Sequence, residues 1–466
     1  MLFSSVYFLF LFLPATVLLF GLAGRFAGVG FAVGVLTLAS VAFYAVWRPW
    51  DVPILLASVI ANWALSLHCD RKDPWAKVAL ATGVVADLAV LFWFKYAVFA
   101  STVAVDAGLA RHPMAARALP LGISFFTFVQ IAYLVDRYRG RAARADLGRY
   151  LLFVCFFPHL IAGPIVHHSK VMPQLDRPVL SWRTTSLALF IFAVGLAKKT
   201  LLADPLSLVA RSGFGEAGSL ATINAWVTVV AYAFQLYFDF SGYSDMAVGL
   251  ALLFGVEFPW NFLSPYRSTT VSEFWRTWHV TLGNFLRDYV YIPLGGSRVG
   301  RLRTSANLLV TMVVGGIWHG AGWTYVMWGG LHGAALVANH RWTDERDRRR
   351  WRPMPTLVAW ALTTLLVLAG WVLFRAATVG EATAVYRAMV GLGGHGLAQA
   401  DRGLLRAAPY LLLATLIALV APNTKDLSGR FKPTAAWALC TGGLLALSML
   451  YVLGTVSAPE FLYGAF

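Results

Sequence analysis

Long apolar runs alternate with short polar loops along almost the whole chain. The runs occupy residues 3–22, 27–47, 52–68, 76–100, 119–136, 147–166, 184–203, 222–238, 243–258, 355–374, 408–421 and 435–455. About 20 apolar residues cross the hydrocarbon of a bilayer as a helix, so each run predicts a membrane helix. The first run has no basic leader and no clear small-residue cleavage site, which fits a retained helix and not a signal peptide. Region 271–340 breaks the pattern. It is apolar but interrupted by Arg276, Arg287, Arg298, Arg301 and Arg303 and by many glycines. Its pieces, 305–319 and 323–339, are short for full spans and predict re-entrant or half-depth helices. Irregular backbone at membrane depth has to be buried in protein or line a cavity. The expected fold class is all-α: a polytopic membrane protein of roughly 11–13 membrane helices with re-entrant or half-depth helices.

The polar loops add orientation. Basic residues gather at Arg71, Lys72 and Lys77, and at Arg137, Arg139, Arg141, Arg144 and Arg149. They gather again at Arg341, Arg346, Arg348, Arg349, Arg350 and Arg352, and at Lys425, Arg430 and Lys432. Placing these loops in the cytoplasm puts both chain termini outside. The tail from Ser457 has Glu460 and no Lys or Arg, which agrees. Stretch 341–352 reads as a charged loop. No internal repeat, low-complexity segment or linker divides the chain, so 1–466 is expected to be a single membrane domain with its motifs in 120–340.

These loop charges make 305–339 a hairpin that rises from the cytoplasm and returns. Its tip is Gly315-Gly316-Ile317-Trp318-His319-Gly320-Ala321-Gly322-Trp323. About 15 residues of helix rise roughly 22 Å, short of a hydrocarbon core of about 30 Å. His319 is therefore expected inside the membrane, where an ionisable group is costly and usually functional. The flanking glycines would let backbone or substrate come close to it.

Composition narrows the class. Of 466 residues, 59% are hydrophobic and 13% charged, against about 25% charged in soluble domains. Mean hydropathy is +0.66. The net charge of +16 lies in short loops between apolar runs, which fits orientation in a membrane and not nucleic-acid binding. Cys69, Cys155 and Cys440 are far apart and form no zinc or disulfide spacing. No acidic cluster suggests a metal.

Four further constellations carry candidate chemistry. Arg276 and His279, at i and i+3, are expected to share one helix face, and Trp275 and Trp278 an adjacent one. This reads either as an interfacial anchor or as a cytoplasmic entrance for an anionic carrier, since arginine is the usual partner of phosphate. Segment 157–168 contains two prolines and a glycine and predicts a kinked helix. His159 there reads as structural. His167 and His168 lack a shared helix face and an evident third ligand, so no metal is expected. Asp239 and Asp245 need partners if buried; they pair with an arginine of 271–303, the preferred structural reading, or orient a histidine. His332, on the returning arm, reads as packing.

In order along the chain, four motifs resemble those of the membrane-bound O-acyltransferases. They are Tyr237-Phe238-Asp239-Phe240-Ser241-Gly242-Tyr243-Ser244-Asp245-Met246-Ala247, Phe274-Trp275-Arg276-Thr277-Trp278-His279, Arg287-Asp288-Tyr289-Val290-Tyr291-Ile292-Pro293-Leu294-Gly295-Gly296 and Gly316-Ile317-Trp318-His319-Gly320-Ala321. With Phe156-Phe157-Pro158-His159-Leu160-Ile161-Ala162-Gly163-Pro164-Ile165, they are most similar to the bacterial alginate O-acetyltransferase branch. The resemblance implies a multi-helix fold around a central funnel with a thin partition. It implies that His319 is catalytic and that His279 stands where other branches carry a polar partner. Trp318, Arg276, Trp278, Arg287 and Asp288 become the candidate substrate contacts. The implied reaction takes an acetyl group from acetyl-CoA, with no permanently bound cofactor. It delivers the group to an exported polysaccharide such as alginate, through a periplasmic partner protein in the bacterial inner membrane. Gly320 backbone N–H or the Trp318 indole would stabilise the developing oxyanion. D-alanyl, cellulose and peptidoglycan transfer are the alternatives, with a transporter or an inert scaffold as different classes.

Overall fold

A computed structural model describes residues 2–175, 181–393 and 402–455, so the acidic-tail expectation at Ser457 and Glu460 lies outside the described residues. Every regular element among those residues is helical. The first half comprises α1 (Phe8–Phe26), α2 (Val29–Trp47), α3 (Val52–Ser66), α4 (Ala76–Asp106), α5 (Ile123–Tyr138), α6 (Leu147–Cys155), α7 (Phe157–Leu160), α8 (His168–Leu175) and α9 (Trp182–Gly215). The second comprises α10 (Thr222–Leu253), α11 (Val271–Thr277), α12 (Val280–Leu286), α13 (Arg301–His319), α14 (Trp323–Arg349), α15 (Thr356–Arg375), α16 (Val379–Met389), α17 (Arg402–Leu419), α18 (Thr424–Arg430) and α19 (Ala435–Gly454).

Among the described residues, α1, α2, α4, α9, α15 and α19 are long and apolar enough to cross a membrane. A pair bent by 63°, 407–419 with α18, adds a seventh span if counted as one. The other predicted spans are short, broken or carry buried charge. The protein is a polytopic, all-helical membrane protein.

The chain packs as two compact units built from interleaved segments: 1–196, 243–259 and 431–466 in one, and 197–242 and 260–430 in the other. Two of the boundaries fall inside α9 and α10, and the other two in the non-helical segments after α10 and after α18.

In the first unit, Phe3, Phe8, Phe43 and Phe157 form a buried aromatic cluster, with Phe43 and Phe157 ring centroids 5.4 Å apart. The predicted span 147–166 is interrupted. α6 starts on Asp146, whose side chain accepts from the Arg149 N–H, and it ends before Phe156. His159 donates from Nε2 to the Phe153 carbonyl at 2.8 Å, as a packed histidine does.

Two predicted runs, 222–238 and 243–258, form one helix, α10, of 32 residues. A lone glycine costs a helix only about 1 kcal/mol, so Gly242 does not break it. The part of α10 in the second unit carries Asp239, and the expected arginine partner is wrong. Lys199, from α9, contacts Asp239 at 2.8 Å and Asp204 at 2.6 Å, all three side chains buried.

Candidate active site

The hairpin expected around His319 is present, with longer arms. α13 has 19 residues and α14 has 27, or about 28 Å and 40 Å of helix. Arg301 and Arg303 lie inside the first turn of α13. The stretch expected to be a charged loop from Arg341 is helical to Arg349, because (i, i+3) and (i, i+4) pairs from Glu345 to Arg348 and Arg349 hold its last turn. Hydrogen bonds from both arginines keep the Glu345 carboxyl below its ordinary pKa.

His319 is the last residue of α13, and Gly320 and Gly322 are extended. Extended backbone suits any residue, so space is what requires glycine here. A Cβ on Gly320 would overlap the Tyr325 ring, and one on Gly316 the Tyr325 carbonyl. On α14, a Cβ at Gly329 would stand 2.5 Å from the Met312 carbonyl oxygen and 2.8 Å from Val313 Cα. The glycines serve close helix packing, as small residues do between membrane helices. Gly329→Ala is expected to cost about 1–3 kcal/mol as overpacking. Gly330→Ala, where the added carbon meets nothing within 4 Å, should be neutral. Thermal unfolding in detergent compares the two.

α14 and α15 run antiparallel. Tyr325 faces Phe374, Trp328 faces Trp371, and His332 lies against Gly370. The hairpin tip therefore sits at the Arg375 end of α15. Around His319, which is 2% exposed, stand Trp318, Trp328 and Phe374, with ring centroids 4.9, 5.2 and 5.0 Å away.

His279 is the second imidazole, 6.5 Å from His319 between ring centroids. The expected shared face with Arg276 does not exist. α11 ends at Thr277, Trp278 is extended, and His279 adopts a left-handed φ of 45° as the residue before α12. For a non-glycine residue that conformation is uncommon and costs of order 1–3 kcal/mol. It turns His279 inward, away from the entrance expected for it. Asn261 secures the turn: its backbone carbonyl accepts from Val280 N–H at 3.0 Å, and its Oδ1 accepts from Thr281 N–H at 3.2 Å. His279 Nδ1 lies 3.1 Å from the same Oδ1. An atom accepting a backbone N–H is the amide oxygen, so Nδ1 carries the proton and Nε2 is the basic nitrogen of neutral His279.

The remaining candidates separate. Trp278 is 1% exposed and packs on Phe274 and Trp371, with centroids 5.6 and 4.8 Å away, as core. Arg276 and Arg287 line a cavity of about 340 Å³ with Trp275, Asn284, Tyr291 and His340. Asp288 is not among its lining residues and pairs with Arg287 at 2.7 Å. A second cavity, of about 650 Å³, shares Leu308 and His340 with the first and adds Arg301 and Arg341. Both lie toward the root of the hairpin. A third, of about 620 Å³, contains Arg211, Arg375 and Glu381, at the tip end of α15. Trp275 lines the first cavity and touches Trp328 at 5.5 Å, and Trp328 touches His319.

Sequence reasoning missed Asn261, Trp328, Phe374 and Arg375. Only Trp328, beside Gly329-Gly330, carried a local signal. His332 is fully buried, and among the described residues neither of its ring nitrogens has a hydrogen-bond partner. The Trp328 indole nitrogen is likewise buried without one.

Residues 40–377 match the family described as MBOAT, membrane-bound O-acyltransferase family. The chain is 37% identical to a peptidoglycan O-acetyltransferase of Helicobacter pylori, covering 100% of this chain and 98% of that protein. It is 40% identical to a probable alginate O-acetylase of Pseudomonas putida, covering 90% of this chain and 85% of the other. A teichoic acid D-alanyltransferase of Streptococcus thermophilus is 31% identical over 50% of this chain and 62% of its own length.

Proposed function

The chain belongs to the membrane-bound O-acyltransferase family, and from that premise we propose that it transfers an acetyl group from acetyl-CoA to hydroxyls of an exported polysaccharide. The observation that carries the proposal is a buried histidine pair at a hairpin tip, with cation-lined cavities toward either end of the hairpin. The root-side cavities offer Arg276, Arg287, Arg301 and Arg341 to the phosphates of a coenzyme A thioester. The tip-side cavity offers Arg211 and Arg375 to a carboxylate-bearing glycan or to the partner protein that delivers it. On the loop charges, the root faces the cytoplasm and the tip and N-terminus face the periplasm of a bacterial inner membrane.

In this reading His319 is the general base. It takes the proton of the acceptor hydroxyl as the oxygen attacks the thioester carbonyl. The new C–O bond forms, the C–S bond breaks, and the coenzyme A thiolate leaves with the proton from His319. The Trp328 indole N–H, edge-on to His319 and with no hydrogen-bond partner among the described residues, is the donor for the developing oxyanion. Gly320 N–H suits this less, being directed to the Gly316 carbonyl. His279 is the polar partner, its Nε2 left basic by the Asn261 contact.

The end-to-end match to the peptidoglycan enzyme favours a second acceptor, the cell-wall glycan. An assay with labelled acetyl-CoA and proteoliposomes, offering alginate and peptidoglycan separately, tests both. Arg276→Gln and Arg287→Gln should each raise the KM for acetyl-CoA about tenfold, the loss of one charge-assisted hydrogen bond, with little change in kcat. An unchanged donor KM in both variants would rule out the root-side donor site. Transfer from a D-alanyl thioester in preference to acetyl-CoA would reassign the acyl group.

A further inference from the structure

In the first unit, two adjacent histidines and an aspartate converge. Asp136 lies near the end of α5. His167 precedes α8 and His168 opens it. Asp136 Oδ2 is 2.9 Å from His167 Nε2 and 3.2 Å from His168 Nε2. The three potential ligand atoms all lie within 4.8 Å of one another. On a continuous helix, neighbouring side chains diverge by about 100°. Here Gly163 and Pro164 precede a non-helical segment that reaches His167, and both imidazoles turn to one carboxylate oxygen, with ring centroids 4.2 Å apart. The fold thus brings the two histidines onto one side and supplies the third ligand that the sequence does not make evident.

We propose that Asp136, His167 and His168 form a binding site for a divalent cation of the zinc class. Two imidazole nitrogens and a carboxylate oxygen are a ligand set that Zn²⁺ accepts, with water completing the tetrahedron. Tetrahedral ligands at about 2.0–2.1 Å from zinc stand roughly 3.3–3.4 Å apart. The separations of 2.9 and 3.2 Å need to open by only a few tenths of an ångström.

The surroundings are built to hold the ligands. His167 Nδ1 lies 2.7 Å from Ser169 Oγ, an outer hydrogen bond of the kind that orients metal-bound imidazoles. His168 packs edge-on against Tyr133, whose hydroxyl is fixed between the Ala143 carbonyl and the Ala145 N–H. Asp136 and His168 are buried, while the His167 side chain is 37% exposed and gives the ion its way in. Arg139 approaches the other carboxylate oxygen, Oδ1, at 4.0 Å. The bound ion would clamp the end of α5 to the start of α8.

The full chain, purified in detergent and stripped with a chelator, is titrated with Zn²⁺ alone. Bound metal is read by mass spectrometry and the unfolding midpoint by thermal shift. The expected result is one zinc per chain and a midpoint raised by several degrees. Both should be lost in His167→Ala, whose exposed side chain can be removed without opening the core, and in Asp136→Asn, which keeps an acceptor oxygen but not the charge. His319→Ala should retain both. Sub-stoichiometric zinc with no midpoint shift in the unsubstituted protein overturns the proposal and leaves a hydrogen-bonded trio. One zinc retained in both His167→Ala and Asp136→Asn also overturns it, by placing the metal elsewhere.

Discussion

His319→Ala should lower acyl transfer by about 10²–10⁴-fold, the usual contribution of a positioned general base, while the protein still inserts and folds. The second half of that expectation follows from where the residue sits. His319 ends α13, and the helix pair is held by the glycine contacts of Gly316 and Gly329 and by Trp328 against Trp371. The alanine removes a ring from a buried aromatic setting but no joint of the hairpin. Folding is checked by a monodisperse detergent elution profile, and chemistry by labelled acetyl transfer. Retained transfer would end the assignment of His319 as the base and favour an inert packing role. His279→Asn is the informative companion. Asparagine tolerates the left-handed backbone that His279 adopts, so it separates loss of the imidazole from loss of the turn.

Lys199→Met should destabilise the second unit by about 3–5 kcal/mol, enough to abolish recovery of folded protein. The ammonium of Lys199 sits between Asp204 and Asp239, and all three side chains are at most 5% exposed. Removing it leaves two buried carboxylates without their shared cation, the costliest way to break a buried ion pair. Methionine keeps the volume of the stem, so the loss reports charge and not packing. Neutralising the aspartates at the same time, as Lys199→Met/Asp204→Asn/Asp239→Asn, should restore much of the stability, because an uncharged trio has no desolvated charge to carry. Fluorescence-detected size exclusion and thermal unfolding compare the set. Equal loss in the single and triple variants would mean that the lysine acts through packing.

The hairpin with His319 at its tip was legible because it depends on sequence-local quantities: where the arginines fall and where glycine interrupts. The multi-helix membrane class was legible for the same reason. Arm length was not, because Glu345 and its arginines can close a helix or decorate a loop, and composition does not distinguish the two. The partner of Asp239 was misread because charge demands a counterion without naming it, and Lys199 lies forty residues away in sequence. The face shared by Arg276 and His279 was misread because (i, i+3) reasoning assumes a continuous helix, which the backbone at Trp278 and His279 interrupts.

The sequence by itself determined a helical, multi-pass membrane protein, the tip position of one histidine and the order of motifs shared with acyltransferases. Apolar run length, loop charge and motif order are all properties of the chain read in one dimension. The tertiary structure alone decided that His279 faces His319, that Asn261 sets its proton, that Trp328 and Phe374 complete the surround, and that His167 and His168 meet Asp136. Each of these depends on a backbone reversal or a contact between distant segments. Their direction is set by packing, which no local spacing encodes.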